Sequence, residues 1–387
     1  MSSVRTPAIT RAVAVLATAT LLAQTPVAPG QPRPLVVLLA GEQERKAWEE
    51  SATRRGWALL TGPPAAPSDA LAKAVRKALE DFRARTPVDA TRVYLAGQGR
   101  GAAAAFYLVA RLPDLWAAAL AVEGSPKPAI DTGRLFAANA QLVPMLWITS
   151  GAERSSLPGF QIERRNPAQM SLEQALDWLA QHERDPFPPK VDCESGNPEL
   201  ARCYWIEMTR LDFSRRNDVL PASRLAPGSG ASLALGGFGF DPAERGPGLV
   251  VGWLPQNYQG PLKLDDRIVA VAGKEIRDGQ AYLEFMDQVK EEQRAAVMVQ
   301  RGKERLRIET RIVLPKREEA QTARVQAEFL SDTRELLLIS RGVAELRLDL
   351  PRYWVPCPIN WNGLAAGQAD SPGCWIVSEG SPARRCP

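Results

Sequence analysis

The chain has 387 residues, 45% of them hydrophobic and 24% charged, with a formal net charge of +4. That balance is ordinary for a globular protein and excludes a disordered or fibrous class. A charge this small over this length, with no basic run carrying interleaved aromatics, gives no ground for nucleic acid or an anionic membrane as a partner, and at roughly 100–200 residues per domain the length predicts two or three domains.

Residues 1–30 read as a secretory signal and lead-in. Arg5 and Arg11 precede an apolar run from Ala12 to Ala23, and Ala23 and Ala28 offer small residues for cleavage. The run is about a dozen residues, short of the roughly 20 needed to span a bilayer. No cysteine follows it to carry a lipid anchor, and no other stretch has membrane length. Export to a periplasmic, cell-envelope or extracellular location is expected.

From residue 31 strands and helices alternate. Leu35 to Ala40 is a continuous apolar run, as in a strand buried on both faces. A helix is predicted over Glu44 to Arg55 and a strand over Trp57 to Leu60. Ser68 to Arg85 is an amphipathic helix with Leu71, Val75, Leu79 and Phe82 on one face. Strand Arg92 to Ala96, helix Gly101 to Leu112, and strands Leu115 to Val122 and Val143 to Thr149 follow. Helix Ser171 to His182 opens with a capping box, Ser171 and Gln174. This order predicts an α/β fold with a mostly parallel sheet over residues 31–220.

Pro186 to Pro189 stops the last helix, and Cys203 to Thr209 reads as a strand. Residues 221–231 form a Pro/Gly/Ser linker. Short strands and turns with one helix, Gln280 to Lys290, fill residues 232–314. A charged linker begins at Pro315, and residues 315–387 are predicted to form a small β-rich C-terminal unit with an Asn362-Gly363 turn.

The five cysteines, Cys193, Cys203, Cys357, Cys374 and Cys386, fit an oxidising compartment. Cys193 and Cys203 can close a small loop; the other three crowd the C-terminus, and one must be left over or pair elsewhere. A zinc site is disfavoured, because the chain has no CxxC pair and one histidine. No metal or other cofactor is expected.

The most informative segment is Val93-Tyr94-Leu95-Ala96-Gly97-Gln98-Gly99-Arg100-Gly101: a strand, a turn with flanking glycines, then a helix. This is the frame of a nucleophile elbow, whose centre normally carries serine. Here the centre is Gly99. A dinucleotide-binding reading fails because the spacing is not GxGxxG and no acidic residue ends a neighbouring strand at the required distance.

With the blocks "VDATRVYLAGQGRGAAAAFYLVARLPDLWAAALAVEGSP", "PMLWITSGAE" and "DWLAQHERDPFPPKV", the chain resembles the esterase and polyhydroxybutyrate-depolymerase-like branch of the α/β-hydrolases over roughly residues 33–210. The resemblance implies a serine at Gly99, an acid just after Gly151 and a histidine between Ser155 and Met170. Glu153 is the one carboxylate in reach of the acid position, one residue early. No histidine lies in the third stretch. The first strand ends Ala40-Gly41-Glu42 in place of a His-Gly oxyanion loop. A triad works only with all its members in contact, so a domain without its catalytic machinery is expected. The sole histidine, His182, is read as interacting with helix-end carbonyls; as a base it would need a serine from elsewhere, such as Ser125.

Residues 232–314 resemble a PDZ domain. Leu235-Gly236-Gly237-Phe238-Gly239-Phe240 is similar to the carboxylate-binding loop, and Leu262 to Gly273 to the segment "LxxGDxIxxVNG", with Asp265 where the family has glycine. The resemblance implies that a peptide or protein C-terminus adds along a sheet edge. Phe238, Gly239 and Phe240 would hold its carboxylate, and Ala281, Tyr282 and Phe285 would face its side chain. The alternative is a groove filled by the chain itself. Trp354, Trp361 and Trp375 are either a stacking face for carbohydrate or core. The functional expectation is an exported non-catalytic binding or scaffold protein. The alternatives are a divergent esterase acting on an ester-like or polysaccharide-linked ligand, and a structural cell-envelope protein.

Overall fold

The computed structural model describes residues 23–24, 30–150, 157–241, 244, 246–316, 320–378 and 380–387. The chain divides into two units. One comprises residues 1–128, 136–221 and 323–387, and the other residues 129–135 and 222–322.

In the first unit, β2 (Arg33–Leu39), β3 (Ala58–Gly62), β4 (Val88–Gln98), β5 (Ala118–Val122), β6 (Pro144–Ile148) and β7 (Gln161–Arg165) form a parallel sheet ordered β3-β2-β4-β5-β6-β7. The short β1 (Ala23–Gln24) pairs antiparallel with Thr61 and Leu60 of β3, although the sequence placed these residues in the lead-in. Leu35, Val36, Val37 and Leu38 are completely buried, as a strand covered on both faces requires. The helices are α1 (Glu42–Arg54), α2 (Asp69–Arg83) and α3 (Ala102–Arg111), the short α4 (Lys127–Ile130), whose last two residues are counted with the second unit, the short α5 (Ala137–Ala140), and α6 (Leu172–Ala180). Ser68 caps α2, whose Ala72, Val75, Leu79 and Phe82 face inward, and the capping box of Ser171 and Gln174 is formed at α6. The strand expected from Leu115 begins at Ala118, because Pro113–Leu115 winds into a 3-10 turn. Pro at the first position of that turn costs no hydrogen bond.

The same unit contains β8 (Lys190–Ser195), β9 (Arg202–Cys203) and β10 (Ile206–Leu211). The second unit then follows, with β11 (Ser232–Leu233), β12 (Leu249–Val250), β13 (Arg267–Val271), β14 (Lys274–Glu275), α7 (Gly279–Gln288), β15 (Gln293–Arg301) and β16 (Glu304–Val313). Its sheet runs β11-β16-β15-β13-β12, with β14 beside β13. Leu249, Val251, Ile268, Tyr282, Met286, Val297, Val299 and Ile312 share its core. Asp265 sits at φ +65°, the left-handed region that glycine would occupy without strain. Its neighbour Asp266 accepts the Lys263 N–H at 2.7 Å and a two-point ion pair from Arg301 at 2.8 Å. Burial alone would raise the Asp266 carboxyl, but these bonds outweigh it and hold it below its ordinary value.

The chain returns through β17 (Ala323–Leu330), β18 (Glu335–Arg341), β19 (Val343–Leu350), β20 (Cys357–Trp361), β21 (Leu364–Ala369), β22 (Gly373–Ser378) and β23 (Ser381–Arg385). Here the expected domain limits need correction. Residues 315–387 do not form a unit apart from residues 31–220. β17 pairs with β8 along six positions and β19 pairs with β10, giving two five-stranded sheets ordered β21-β20-β18-β17-β8 and β23-β22-β19-β10-β9. Their inner faces share one core, so neither half of the chain buries its apolar alternation alone. Trp354, Trp361 and Trp375 are 3%, 4% and 5% exposed, which removes the sugar-stacking reading and leaves them as core.

Cys193 of β8 is bonded to Cys203 of β9, linking the two sheets, and Cys374 of β22 is bonded to Cys386. The leftover cysteine is Cys357, buried, with its thiol pushed up by that burial. Two disulfides fit an oxidising, exported environment. Among the described residues no helix is long and apolar enough to cross a membrane.

Candidate functional site

At the carboxyl end of β4 the elbow frame is present. β4 ends at Gln98, Gly99–Gly101 makes a single 3-10 turn, and α3 starts at Ala102. Gly99 has φ +56°, and a Cβ placed there would meet nothing within 4 Å. Its neighbours differ. A Cβ on Gly97 would collide with the Gly101 carbonyl, one on Gly101 with the Leu39 carbonyl, and one on Gly124 with the Gly99 carbonyl. The flanking glycines are therefore fixed by backbone contact, whereas Gly99 points an empty position into open space.

The side chains beside this turn are occupied structurally. The Gln98 Oε1 accepts the Trp48 indole N–H at 2.8 Å, the Trp147 indole N–H donates to the Gly124 carbonyl at 3.1 Å, and the Ser125 Oγ accepts the Lys127 N–H at 3.1 Å. Glu153, the expected remnant acid, lies outside the described residues.

His182 is at the other end of the sheet. Its Nδ1 donates to the Trp178 carbonyl at 2.8 Å, its ring lies 4.2 Å from the Trp178 ring, and its own carbonyl accepts the Tyr94 hydroxyl at 3.1 Å. The Arg184 N–H donates to the Thr91 carbonyl at 2.8 Å. Thr91 stands eight residues before Gly99, roughly 25 Å of extended strand at about 3.3 Å per residue. Ser125 follows β5 at the Gly99 end. The structure therefore does not bring His182 to Gly99 or to Ser125, and a base needs hydrogen-bond reach to act.

In the second unit Gly239 pairs with Trp253. Its N–H donates to the Trp253 carbonyl at 2.8 Å, and its carbonyl accepts the Gly252 and Trp253 N–H groups. By strand alternation the N–H groups of Phe238 and Phe240 point away from Trp253, and among the described residues no acceptor meets them. The rings of Phe238 and Phe240 approach Tyr282 of α7 at 6.3 and 5.5 Å. Tyr282 is 6% exposed, and burial pushes its hydroxyl up to about 12. Ala281 donates its N–H to the capping Asp278. Phe285 instead lies 5.1 Å from the Lys274 ammonium, beside a cavity of about 430 Å³ that Gln288 and Val289 also line. It makes no ring contact with Phe238 or Phe240 among the described residues. Sequence reasoning passed over Trp253, which is 58% exposed opposite Gly239. An aromatic in the strand after a glycine loop was the available signal.

No group of three or more His, Cys, Asp or Glu among the described residues could hold a metal ion. No family model matches the sequence, and no curated protein matches it. Among solved structures the chain is similar to a thermostable esterase, at 15% identity over 44% of this chain and 64% of that one, with a TM-score of 0.31. It is similar to FphF, a fluorophosphonate-binding serine hydrolase of Staphylococcus aureus, at 12% identity over 39% of this chain and 85% of that one, TM-score 0.31. A phospholipase/carboxylesterase of Dyadobacter fermentans aligns at 11% identity over 42% of this chain and 95% of that one, TM-score 0.30. The chain spans less than two thirds of the first of these. The parallel α/β sheet is defined by its own strand order and pairing.

Proposed function

We propose that this chain is an exported, non-catalytic binding protein, built on a hydrolase-like α/β sheet and carrying a PDZ-like module for an extended peptide end. The observation that carries the first half is Gly99: an elbow whose flanks are packed for a nucleophile and whose centre holds a hydrogen atom. Covalent hydrolysis needs an attacking atom with a base in contact, and the one histidine of the chain sits at the opposite end of β4. Supporting the second half are the N–H groups of Phe238 and Phe240, which meet no acceptor among the described residues, an arrangement that accepts a peptide strand or a terminal carboxylate. The rings of Phe238, Phe240 and Tyr282 stand within 5.5–6.3 Å of one another beside them and leave little room for a further large side chain, so the reading favours a peptide ending in a small residue.

Two measurements test this. The purified chain is expected to give no p-nitrophenyl ester turnover and no labelling by a fluorophosphonate probe. Labelling of a serine would replace the proposal with a divergent esterase. Fluorescein-labelled peptides ending in alanine are expected to bind and to lose binding when the carboxyl is amidated. Equal binding of acid and amide forms would remove the PDZ-like role.

A further inference from the structure

The end of the α/β sheet opposite Gly99 carries a feature that hydrolase and PDZ resemblances do not account for. A cavity of about 320 Å³ opens between α2, the turn after α3, and the segment from Arg184 to Trp205. Four arginines line it: Arg76, Arg83, Arg184 and Arg202. Two are neutralised. Arg76 pairs with Asp114 at 3.5 Å, and Arg202 pairs with Asp349 at 3.1 Å and stands 4.0 Å from Asp114. The other two have no carboxylate within ion-pair distance among the described residues, although Glu80 also lines the cavity and the charges of Asp114 and Glu80 reach Arg83. Arg83 forms no ion pair or hydrogen bond among the described residues. Arg184 donates only weakly from Nη2 to the Ala90 carbonyl, at 3.3 Å, and its guanidinium stands 5.9 Å from the Tyr204 ring.

The Nε–H groups of Arg76, Arg83 and Arg184 are all buried without an acceptor. A buried, unpaired donor is costly, and more so on a charged group. Burial, and next the neighbouring charge of Arg184, lower the affinity of Arg83 for its proton, and the more distant charges of Asp114 and Glu80 offset this only in part. Two half-buried cations held side by side with unmet donors are stabilised by one thing water supplies poorly there, an oxyanion that accepts from both forks. The wall beside them is Tyr204, Trp205 and Phe187, which offers apolar contact to an organic body.

We infer that this pocket binds a small organic anion, with its carboxylate or phosphate group between Arg83 and Arg184 and its body against Tyr204. The inference stands apart from the elbow and from the PDZ-like groove.

The test is titration calorimetry and thermal shift in buffer free of sulfate and phosphate, with inorganic phosphate, succinate and phenyl phosphate as probes. The full chain is expected to bind a phosphate or a carboxylate probe, and the arms identify which headgroup fits. Arg83→Gln and Arg184→Gln are each expected to weaken binding by about 10-fold or more, whereas Arg305→Gln on an exposed strand leaves it unchanged. Arg83 has no ion pair or hydrogen bond to lose among the described residues and carries a buried unmet donor, so Arg83→Gln is expected to keep or raise the melting temperature without anion and to lose the rise on adding it. A structural role would lower the melting temperature instead. No saturation by any probe below about 10 mM, or undiminished binding by both glutamine variants, overturns the inference.

Discussion

Asn139 grips the backbone of Glu194 in both directions: its Nδ2 donates to the Glu194 carbonyl at 3.0 Å and its Oδ1 accepts the Glu194 N–H at 2.7 Å. The same Nδ2 donates to the Ala110 carbonyl at 2.7 Å, near the end of α3. Asn139 is 1% exposed, so one amide ties the helical layer over the parallel sheet to β8. Asn139→Ala would remove three hydrogen bonds to buried backbone groups. We expect it to cost about 2–4 kcal/mol, read from urea unfolding. A loss below about 0.5 kcal/mol would show that water replaces the amide freely.

The Cys193–Cys203 bond joins strands that belong to different sheets. Replacing both with serine removes the cross-link from the unfolded chain, and for a loop this short the expected loss is about 2–3 kcal/mol. Cys357, buried and with its thiol pushed up by burial, is expected to ignore iodoacetamide in the folded protein and to react once urea unfolds it. Mass spectrometry of the alkylated chain checks both points; fast native alkylation of Cys357 would contradict the packing.

Gly99 and Gly101 are expected to respond differently to a side chain. Gly99→Ser meets no atom, so its cost is the left-handed backbone alone, about 1–2 kcal/mol. It should fold and still show no esterase activity, because His182 is a strand length away. Gly101→Ala drives a methyl group into the Leu39 carbonyl, and a loss of about 3 kcal/mol or more is expected. Thermal melts of the two variants give the comparison; equal costs would refute the packing argument.

Acid stability should respond to Glu173. The side chain of Arg54, then Ser51 and Arg55, hold its carboxyl down at about 2, against 4.5 for a free glutamate. A depressed carboxyl contributes stability that is full above the unfolded value and is lost as pH falls through the folded one. The window is therefore about pH 4.5 down to 2. Glu173→Gln should flatten the acid limb of the stability profile in that window and leave the slope above pH 6 unchanged. An unaltered acid limb would mean the ion pairs to α1 are screened away in solution.

Much of the α/β sheet was legible in the chain because its cues are local. The run at Leu35, the apolar face of α2 and the capping box at Ser171 each depend on residues within a few positions. The elbow could be read for the same reason: Gly97, Gly99 and Gly101 are a short-range pattern. The limits of the β-rich part could not. β8 and β10 are completed by strands more than a hundred residues later, and alternation within one strand does not say which distant strand pairs with it. The tryptophans illustrate the same gap, since an aromatic at period two reads alike on a core face and on an exposed one.

The sequence by itself determined what is missing at the elbow, since no folding can supply a nucleophile that Gly99 does not have, and it determined that one cysteine of five has no partner within the chain. Tertiary structure alone decided where His182 stands, which cysteines bond, and that Arg83 and Arg184 line one cavity with no carboxylate at ion-pair distance from either among the described residues. Those relations are distances between residues far apart in the chain, set by how sheets and helices pack, and no local pattern encodes them.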